Sequence, residues 1–337
     1  MRVLERLDRL YAIGGGPGAN RASGSPEEDE AYDLAAGWMR EASLRVEIDP
    51  DGNLLGRSGT RDDVWVGSHL DSVPQGGRFD GSLGVVAAIE AVEREGSGSV
   101  VVFRGEEVGC VGSRARVRRG DLPTAFLELH VEQGPVLDAA DTPLGVVTGI
   151  VGYARGELVL EGRAGHAGTT PMEGREDALV AAAEAVLRVR DATRGLDGAV
   201  ATVGKLDVEP GGVNVIPGRV RLSVDARAPD ALTLDRLVAM IGFEPSQRNE
   251  PVTMNDACIG ALCEEVSSRG LRVVEFPSGA GHDAGILAAA GVASGMLFVR
   301  SLNSGVSHSP DELTSDEDVA FAVDVLAGAL GRLVSSR

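Results

Sequence analysis

VWVGSHLDSVPQGGRFDGSLGVVAAIEAVEREGSGSVVVFRGEE, residues 64–107, decides the fold. Val64–Gly67 is a short apolar run that reads as a buried strand. Gly81–Glu95 carries apolar residues at helical spacing, and Ser99–Phe103 is a second buried strand. A strand, a helix and a strand in that order predict parallel strands joined by a crossover helix. Both strands run directly into polar residues, His69 and Asp71 after the first and Glu106-Glu107 after the second. In an open α/β sheet the carboxyl ends of parallel strands open onto one crevice. The same segment therefore predicts where chemistry is done.

The pattern extends outward. Glu27–Ser43 reads as a helix begun by Ser25 and Pro26, and Ala125–Leu129 as a further strand. Near Ile150 the character changes. Gly156–Glu161, Ala199–Val203 and Arg219–Asp225 read as half-exposed strands, with helices at Glu176–Val189 and Leu232–Ile241. From Asn255 the earlier style returns, with helices at Asp256–Arg269, Asp283–Ala290 and Ser315–Val334 and a buried strand at Ala293–Val299. The expected architecture is a three-layer αβα domain on a mixed, largely parallel sheet, formed by residues 1–149 and 255–337. Residues 150–254 form an inserted two-layer α+β unit. Gly14–Asn20 (GGGPGAN) has no strand before it and no Lys-Ser/Thr pair after it, so it reads as a flexible loop and not as a phosphate cradle.

Composition narrows the function. The 337 residues carry 51 acidic and 32 basic side chains, a net charge of −19. That field repels nucleic-acid phosphates and anionic membrane surfaces. Lys205 is the one lysine. The opening MRVLERLDRL interleaves charge with apolar residues, as a surface helix does and a signal peptide does not. The longest uncharged run, Ala284–Val299, is shorter than the ~20 residues a spanning helix needs. Three cysteines, Cys110, Cys258 and Cys263, show no framework spacing and read as reduced thiols of a cytoplasmic protein. Cys258 and Cys263 read as two small residues on one helix.

There are five histidines, His69, His130, His166, His282 and His308, each beside Gly, Asp, Glu or Ser. His69, His130 and His308 follow predicted strands. Three imidazoles and several carboxylates delivered to one crevice have one economical use, a metal site for zinc, manganese, cobalt or nickel. Asp71, two residues from His69, suits the task of orienting an imidazole through its second nitrogen. Asp80 sits among glycines just before a helix. In an extended segment Glu106 and Glu107 point opposite ways, so one can bind metal while the other faces substrate as a general base.

These segments, in order, are GSHLDSVPQGGRFDGSLGV, EEVGCVGSRA, ELHVEQGPVL, GHAGTTPM, NVIPGRVRLSVDAR, GAGHDA and GVSHSPDE. From about Asp51 onward the chain resembles the dimetal M20-type amidohydrolases, the group of N-carbamoyl-L-amino-acid hydrolase, β-ureidopropionase and allantoate amidohydrolase. The resemblance implies two divalent ions per chain. His69 and His130 would hold one, Glu107 and His308 the other, and Asp80 would bridge them. Glu106 would be general base and then acid. His166 would reach the substrate oxyanion, often from a partner subunit, so a homodimer is implied. The inserted unit would serve as lid and dimerisation domain. Gln133, Asn214 and Arg227 would bind a small ureido substrate, with Arg227 on its carboxylate. His282 would line the pocket or cap the helix after it. The implied reaction hydrolyses N-carbamoyl-L-amino acids to amino acid, carbon dioxide and ammonia. Allantoate hydrolysis, dipeptide cleavage and metal or substrate binding without turnover are the other readings of the same residues. The chain departs from the pattern in two places. Only 23 positions separate Glu107 from His130, where the family has a long helical stretch, and the inserted unit is short after Met240. Both imply a more open pocket wall and an altered substrate range or reduced activity, with the metal ligands retained.

Overall fold

The computed structural model describes residues 2–335. Met1 of the opening helix and residues 336 and 337 of the last segment lie outside them. The chain divides into two units, Met1–Gly149 with Thr253–Arg337, and Ile150–Val252.

The first unit is built on a mixed nine-stranded sheet. Its centre is four neighbouring strands in the order Ser99–Phe103, Val64–His69, Ala125–Val131 and Ala293–Val299, all parallel. Each is buried along nearly its whole length, as strands covered on both faces must be. Antiparallel strands flank them, Leu54–Arg57 beside Ser99–Phe103 and Leu144–Ile150 beside Ala293–Val299. The Arg45–Ile48 strand extends the first flank. Sequence reading passed over these flanking strands. Arg45–Ile48 is short and mostly exposed, so it carries no apolar run to announce it.

The crossover helix Ser82–Glu95 is buried from Ser82 to Val92. Gly84 lets it lie against the strands: a Cβ there would stand 2.2 Å from the Leu129 carbonyl oxygen and 2.6 Å from the Ser68 Cβ. We expect Gly84→Ala to cost about 1–3 kcal/mol by overpacking, read as a lower Tm. It should also loosen metal binding, because Ser68 and Leu129 immediately precede His69 and His130.

The expected flexible loop at Gly14–Asn20 is instead a closed turn. The Asn20 amide donates to the carbonyls of Gly15, Pro17 and Gly18, and its oxygen accepts from the Gln75 N–H. Ala19 and Gly76 exchange a pair of backbone hydrogen bonds. A side-chain amide whose two protons are shared among three carbonyls removes the freedom the glycines suggest.

The second unit has a five-stranded antiparallel sheet, ordered Leu206–Glu209, Arg219–Ala228, Gly152–Glu161 and Pro245–Asn249, with Val200–Thr202 on Arg219–Ala228. Helices Ala178–Ala192 and Ala231–Ile241 cover one face. Along Arg219–Ala228 burial alternates strictly, and Val220, Leu222, Val224 and Ala226 pack with Ala182, Ala185, Leu234 and Leu237. Pro245–Asn249 (PSQRN) has a loop composition and becomes a strand through its pairing with Gly152–Glu161. Lys205 is exposed here beside Asp207. Cys258 and Cys263 lie on one helix of the first unit, Asp256–Ser268, the first buried and the second half-buried. Among the described residues no helix is long and apolar enough to cross a membrane.

Candidate metal centre

The parallel strands deliver their ends to one place. His69 is the last residue of its strand and His130 the last but one of its own. Asp80 precedes the crossover helix at Gly81, whose φ of +60° a side chain would rarely adopt. A Cβ on Gly81 would meet the His69 ring at 2.4 Å.

Asp80 divides its carboxylate between two sets. Its Oδ1 stands 3.1 Å from His130 Nε2 and 3.7 Å from His69 Nε2. Its Oδ2 stands 3.4 Å from His308 Nε2, which is 3.6 Å from Glu107 Oε2. His69, Asp80 and His130 form one group of potential ligand atoms within 4.8 Å of one another, and Asp80, Glu107 and His308 a second. His69 Nε2 is buried with no hydrogen-bond partner. An orphaned buried nitrogen aimed at carboxylates, in a set of imidazole and carboxylate donors, fits a divalent cation of the zinc or manganese kind.

The remaining ring nitrogens are fixed from behind. His69 Nδ1 faces the Asp71 backbone oxygen at 3.1 Å and Oδ1 at 3.3 Å, and His130 Nδ1 faces the Val131 carbonyl at 2.9 Å. Asp71 does more than sequence reading assigned. Its Oδ1 accepts from the Glu106 N–H and its Oδ2 from the Glu107 N–H, both at 3.1 Å. One carboxylate thus orients a histidine and anchors the glutamate pair. We expect Asp71→Asn to weaken metal binding roughly 10–100-fold, measured by chelator competition, and to lower Tm, because the amide leaves one of the two backbone N–H groups without an acceptor.

The electrostatics describe a site that holds protons where a cation would go. Burial disfavours the His130 imidazolium, yet Asp80 outweighs it and pushes the group up to about 9. Burial likewise opposes His69, and Glu106, Asp71 and Asp80 together raise it well above the ordinary range. Asp80 is held well below the usual carboxylate range, its histidine partners overcoming burial. Glu106 is pushed up to about 7, first by burial and then by Glu107 and Glu128, against the pull of His69 and His130. It belongs to neither ligand group. Its Oε2 lies 3.9 Å from His69 Nε2, and its Oε1 lies 3.8 Å from the Cys110 thiol.

Glu128 was not singled out from the sequence. It is fully buried, accepting from Ser68 Oγ at 2.8 Å and from the Ala284 N–H at 2.9 Å. An acid inside the apolar strand AFLELHV, on the same face as His130, was the available signal. His282 is buried against the rings of His130 and Phe298, with centroids 4.5 Å and 5.8 Å away. Its Nε2 meets Ser278 Oγ at 3.1 Å, and its Nδ1 has no partner. It occupies the N-cap position of Asp283–Ala289, but its side chain makes no capping bond. Gln133 Nε2 lies 3.1 Å from both Asp80 Oδ2 and Ser307 Oγ.

The other named residues belong to the second unit. His166 pairs with Val215 across the two-stranded ribbon of Gly165–His166 and Val215–Ile216, and Asn214 adjoins that ribbon. His166 Nδ1 accepts from the Gly168 and Thr169 N–H groups, which leaves the proton of a neutral ring on Nε2. Arg227 lies on the five-stranded sheet, its Nε and Nη2 on the two oxygens of Asp225 at 3.0 and 3.1 Å. Arg155 Nε holds the same carboxylate at 2.9 Å. Asp225 and Arg227 are two apart on a strand and so share a face, a pairing the sequence shows in outline.

The model of peptidase family M20/M25/M40 matches residues 65–332. The chain belongs to this family. An N-carbamoyl-L-amino acid amidohydrolase of Geobacillus stearothermophilus is 37% identical over 397 aligned positions, covering 96% of each chain. The allantoate amidohydrolase of Escherichia coli (strain K12) is 33% identical, covering 98% of this chain and 97% of its own. The crystal structure of a Burkholderia multivorans amidase of the hydantoinase/carbamoylase family superposes with a TM-score of 0.87 at 31% identity, over 98% of this chain and 96% of that one. Within the M20 family, the chain is thus a member of the hydantoinase/carbamoylase amidohydrolases. The alignment with the Geobacillus protein is longer than this chain, so the relative carries segments that this M20 member lacks. Between Glu107 and His130 the M20 member has a single helix, Val111–Arg119.

Proposed function

We propose that this chain is a dimetal hydrolase that cleaves the ureido C–N bond of N-carbamoyl-L-amino acids, giving the amino acid, carbon dioxide and ammonia. The observation that carries the reading is the division of Asp80 between two ligand sets, with the largely buried Glu106 beside them and outside both. His69 and His130 would hold one ion, Glu107 and His308 the other, with Asp80 between them. Zinc is the first candidate; manganese, cobalt and nickel suit the same donors. Ions held there would supply Lewis acidity, for the scissile carbonyl and for a water that must be acidic enough to attack at neutral pH.

The chain's own groups do the rest. Glu106 takes a proton from the attacking water on a carboxylate oxygen and delivers it to the leaving nitrogen. A carboxyl pushed up to about 7 is suited to both halves of that transfer. His166 offers Nε2–H, and Asn214 its amide, to the charge that develops on oxygen. Arg227, its guanidinium plane set by Asp225, forks onto the substrate carboxylate. Gln133 and His282 line the pocket. The inserted unit acts as a lid, and the homodimer implied by the family belongs to the same proposal, with sedimentation at micromolar concentration as its test.

Allantoate is the second reading, favoured by the similarity to the Escherichia coli allantoate amidohydrolase. Both substrates pair a carboxylate with a ureido group. The deciding experiment measures ammonia release by the zinc- or manganese-loaded protein from a series of N-carbamoyl-L-amino acids and from allantoate. The proposal expects kcat/KM for at least one carbamoyl amino acid to exceed that for allantoate. The reverse order would replace it, and cleavage of dipeptides alone would return the chain to peptidase chemistry.

A further inference from the structure

Glu312 lies in the GVSHSPDE segment, four residues after His308, and nothing so far gives it a task. Its side chain is buried, with 5% of the residue exposed. Its Oε1 accepts from the Phe79 N–H at 2.7 Å and from the Asp80 N–H at 3.1 Å. Its Oε2 accepts from Ser307 Oγ at 2.7 Å. The chain approaches it so closely that a Cβ on Gly77 would stand 2.1 Å from Oε1. One carboxylate therefore ties the loop that carries Asp80 to the loop that carries His308.

The hydrogen bonds continue into a ring. With Glu312 ionised, Ser307 donates to it and so accepts from Gln133 Nε2 at 3.1 Å. The second proton of that amide goes to Asp80 Oδ2, also at 3.1 Å. The circuit runs from the Asp80 backbone through Glu312, Ser307 and Gln133 back to the Asp80 carboxylate. Every donor in it has one acceptor, which fixes the Gln133 amide with its nitrogen on Asp80. Asp80 is thus held at both its backbone and its side chain, and Oδ2, the oxygen that faces His308, is the one the ring aims.

We propose that Glu312 is a positioning residue that sets the Asp80–His308 half of the metal centre by locking these two loops together. The proposal rests on the dimetal reading above.

The test measures the dissociation constant of each of the two zinc ions by chelator competition in wild type, Glu312→Ala, Glu312→Gln and Ser307→Ala. The Tm of each metal-free protein and kcat and KM at saturating zinc accompany it. In Glu312→Ala the zinc that His308→Ala removes should lose affinity roughly 10–100-fold, the range for removing a group that orients a metal ligand. Glu312→Gln keeps an oxygen for the two backbone N–H groups, so it should lose less. Its new N–H group faces Ser307 and reverses one bond of the ring, so it should not match wild type. Ser307→Ala removes the Ser307 links to Oε2 and to Gln133 but leaves both backbone N–H groups on Oε1, so it should shift the same ion in the same direction by less than Glu312→Ala. It serves as the test if Glu312→Ala does not fold. Activity should return with excess zinc, with KM unchanged. Gly77→Ala, which displaces the carboxylate from a distance, should copy Glu312→Ala. Zinc affinities equal to wild type in Glu312→Ala and Ser307→Ala would overturn the proposal, whatever happens to Tm, and leave Glu312 a loop anchor only. A wild type that binds fewer than two zinc ions would instead overturn the dimetal reading.

Discussion

Glu106→Gln is expected to lower kcat by roughly 10²–10⁴-fold, the usual worth of a general acid–base group, while two ions per chain stay bound and KM moves little. One feature separates this residue from its neighbour, and two more keep the substitution local. Glu106 stands outside both ligand groups, so its loss removes no metal donor. Its position is set through its backbone N–H on Asp71, which the substitution leaves intact. Glutamine has almost the same shape, so the nearby Cys110 and His69 are not displaced. What is lost is the capacity to take up a proton and return it. Metal content and kcat measured on the same preparation give the answer. A variant within threefold of wild type would remove Glu106 from the chemistry. A variant that lost its metal would make Glu106 a ligand and not a base.

Asp80→Ala is expected to bring metal content from about two ions per chain to below one and to abolish activity. Each ligand group contains Asp80, and without it each retains two donors. The fold should survive. Asp80 lies in a loop, and its backbone N–H stays on Glu312 whatever the side chain. Its carboxylate also repels its neighbours, helping burial to raise the pKa values of Glu107 and Glu312. In the metal-free protein that repulsion is outweighed by the pairing with His130 and His308, which holds Asp80 well below the usual carboxylate range, so the metal-free variant should melt somewhat below metal-free wild type while remaining folded. His308→Ala makes the contrast, since it should cost one ion and spare the other. If Asp80→Ala still bound two ions, the two groups would be independent sites and the shared carboxylate would have no bridging task.

The site was legible where sequence neighbours are also spatial neighbours. His69 and Glu106-Glu107 follow strands whose apolar runs are short and unbroken, and a parallel sheet places such ends together. His308 sits farther from its strand, and the same strand-end reading still included it, while its assignment to a particular metal came from the resemblance. What stayed hidden was whatever depends on contact between distant segments. The bond from the Phe79 N–H to Glu312 spans 233 residues, and no local pattern announces it. The hold of Asp71 on the glutamate pair spans 35 and 36. The fold shows the same division. The buried central strands were readable from composition, whereas Arg45–Ile48 and Pro245–Asn249 are polar edges that exist as strands only because a neighbour offers hydrogen bonds. The turn at Gly14–Asn20 was misread because its glycines were visible and the threefold grip of Asn20 was not.

The near-absence of lysine has a practical use. Lys205, exposed beside Asp207, is the one side-chain amine of the chain and lies in the inserted unit. Cys110 and Cys258 are buried, so the half-buried Cys263, in the other unit, is the thiol that reagents reach first. The natural sequence thus supplies two orthogonal attachment points, one per unit, without mutation. A donor dye on one and an acceptor on the other would turn movement of the inserted unit into a change in energy transfer, recorded as substrate is added.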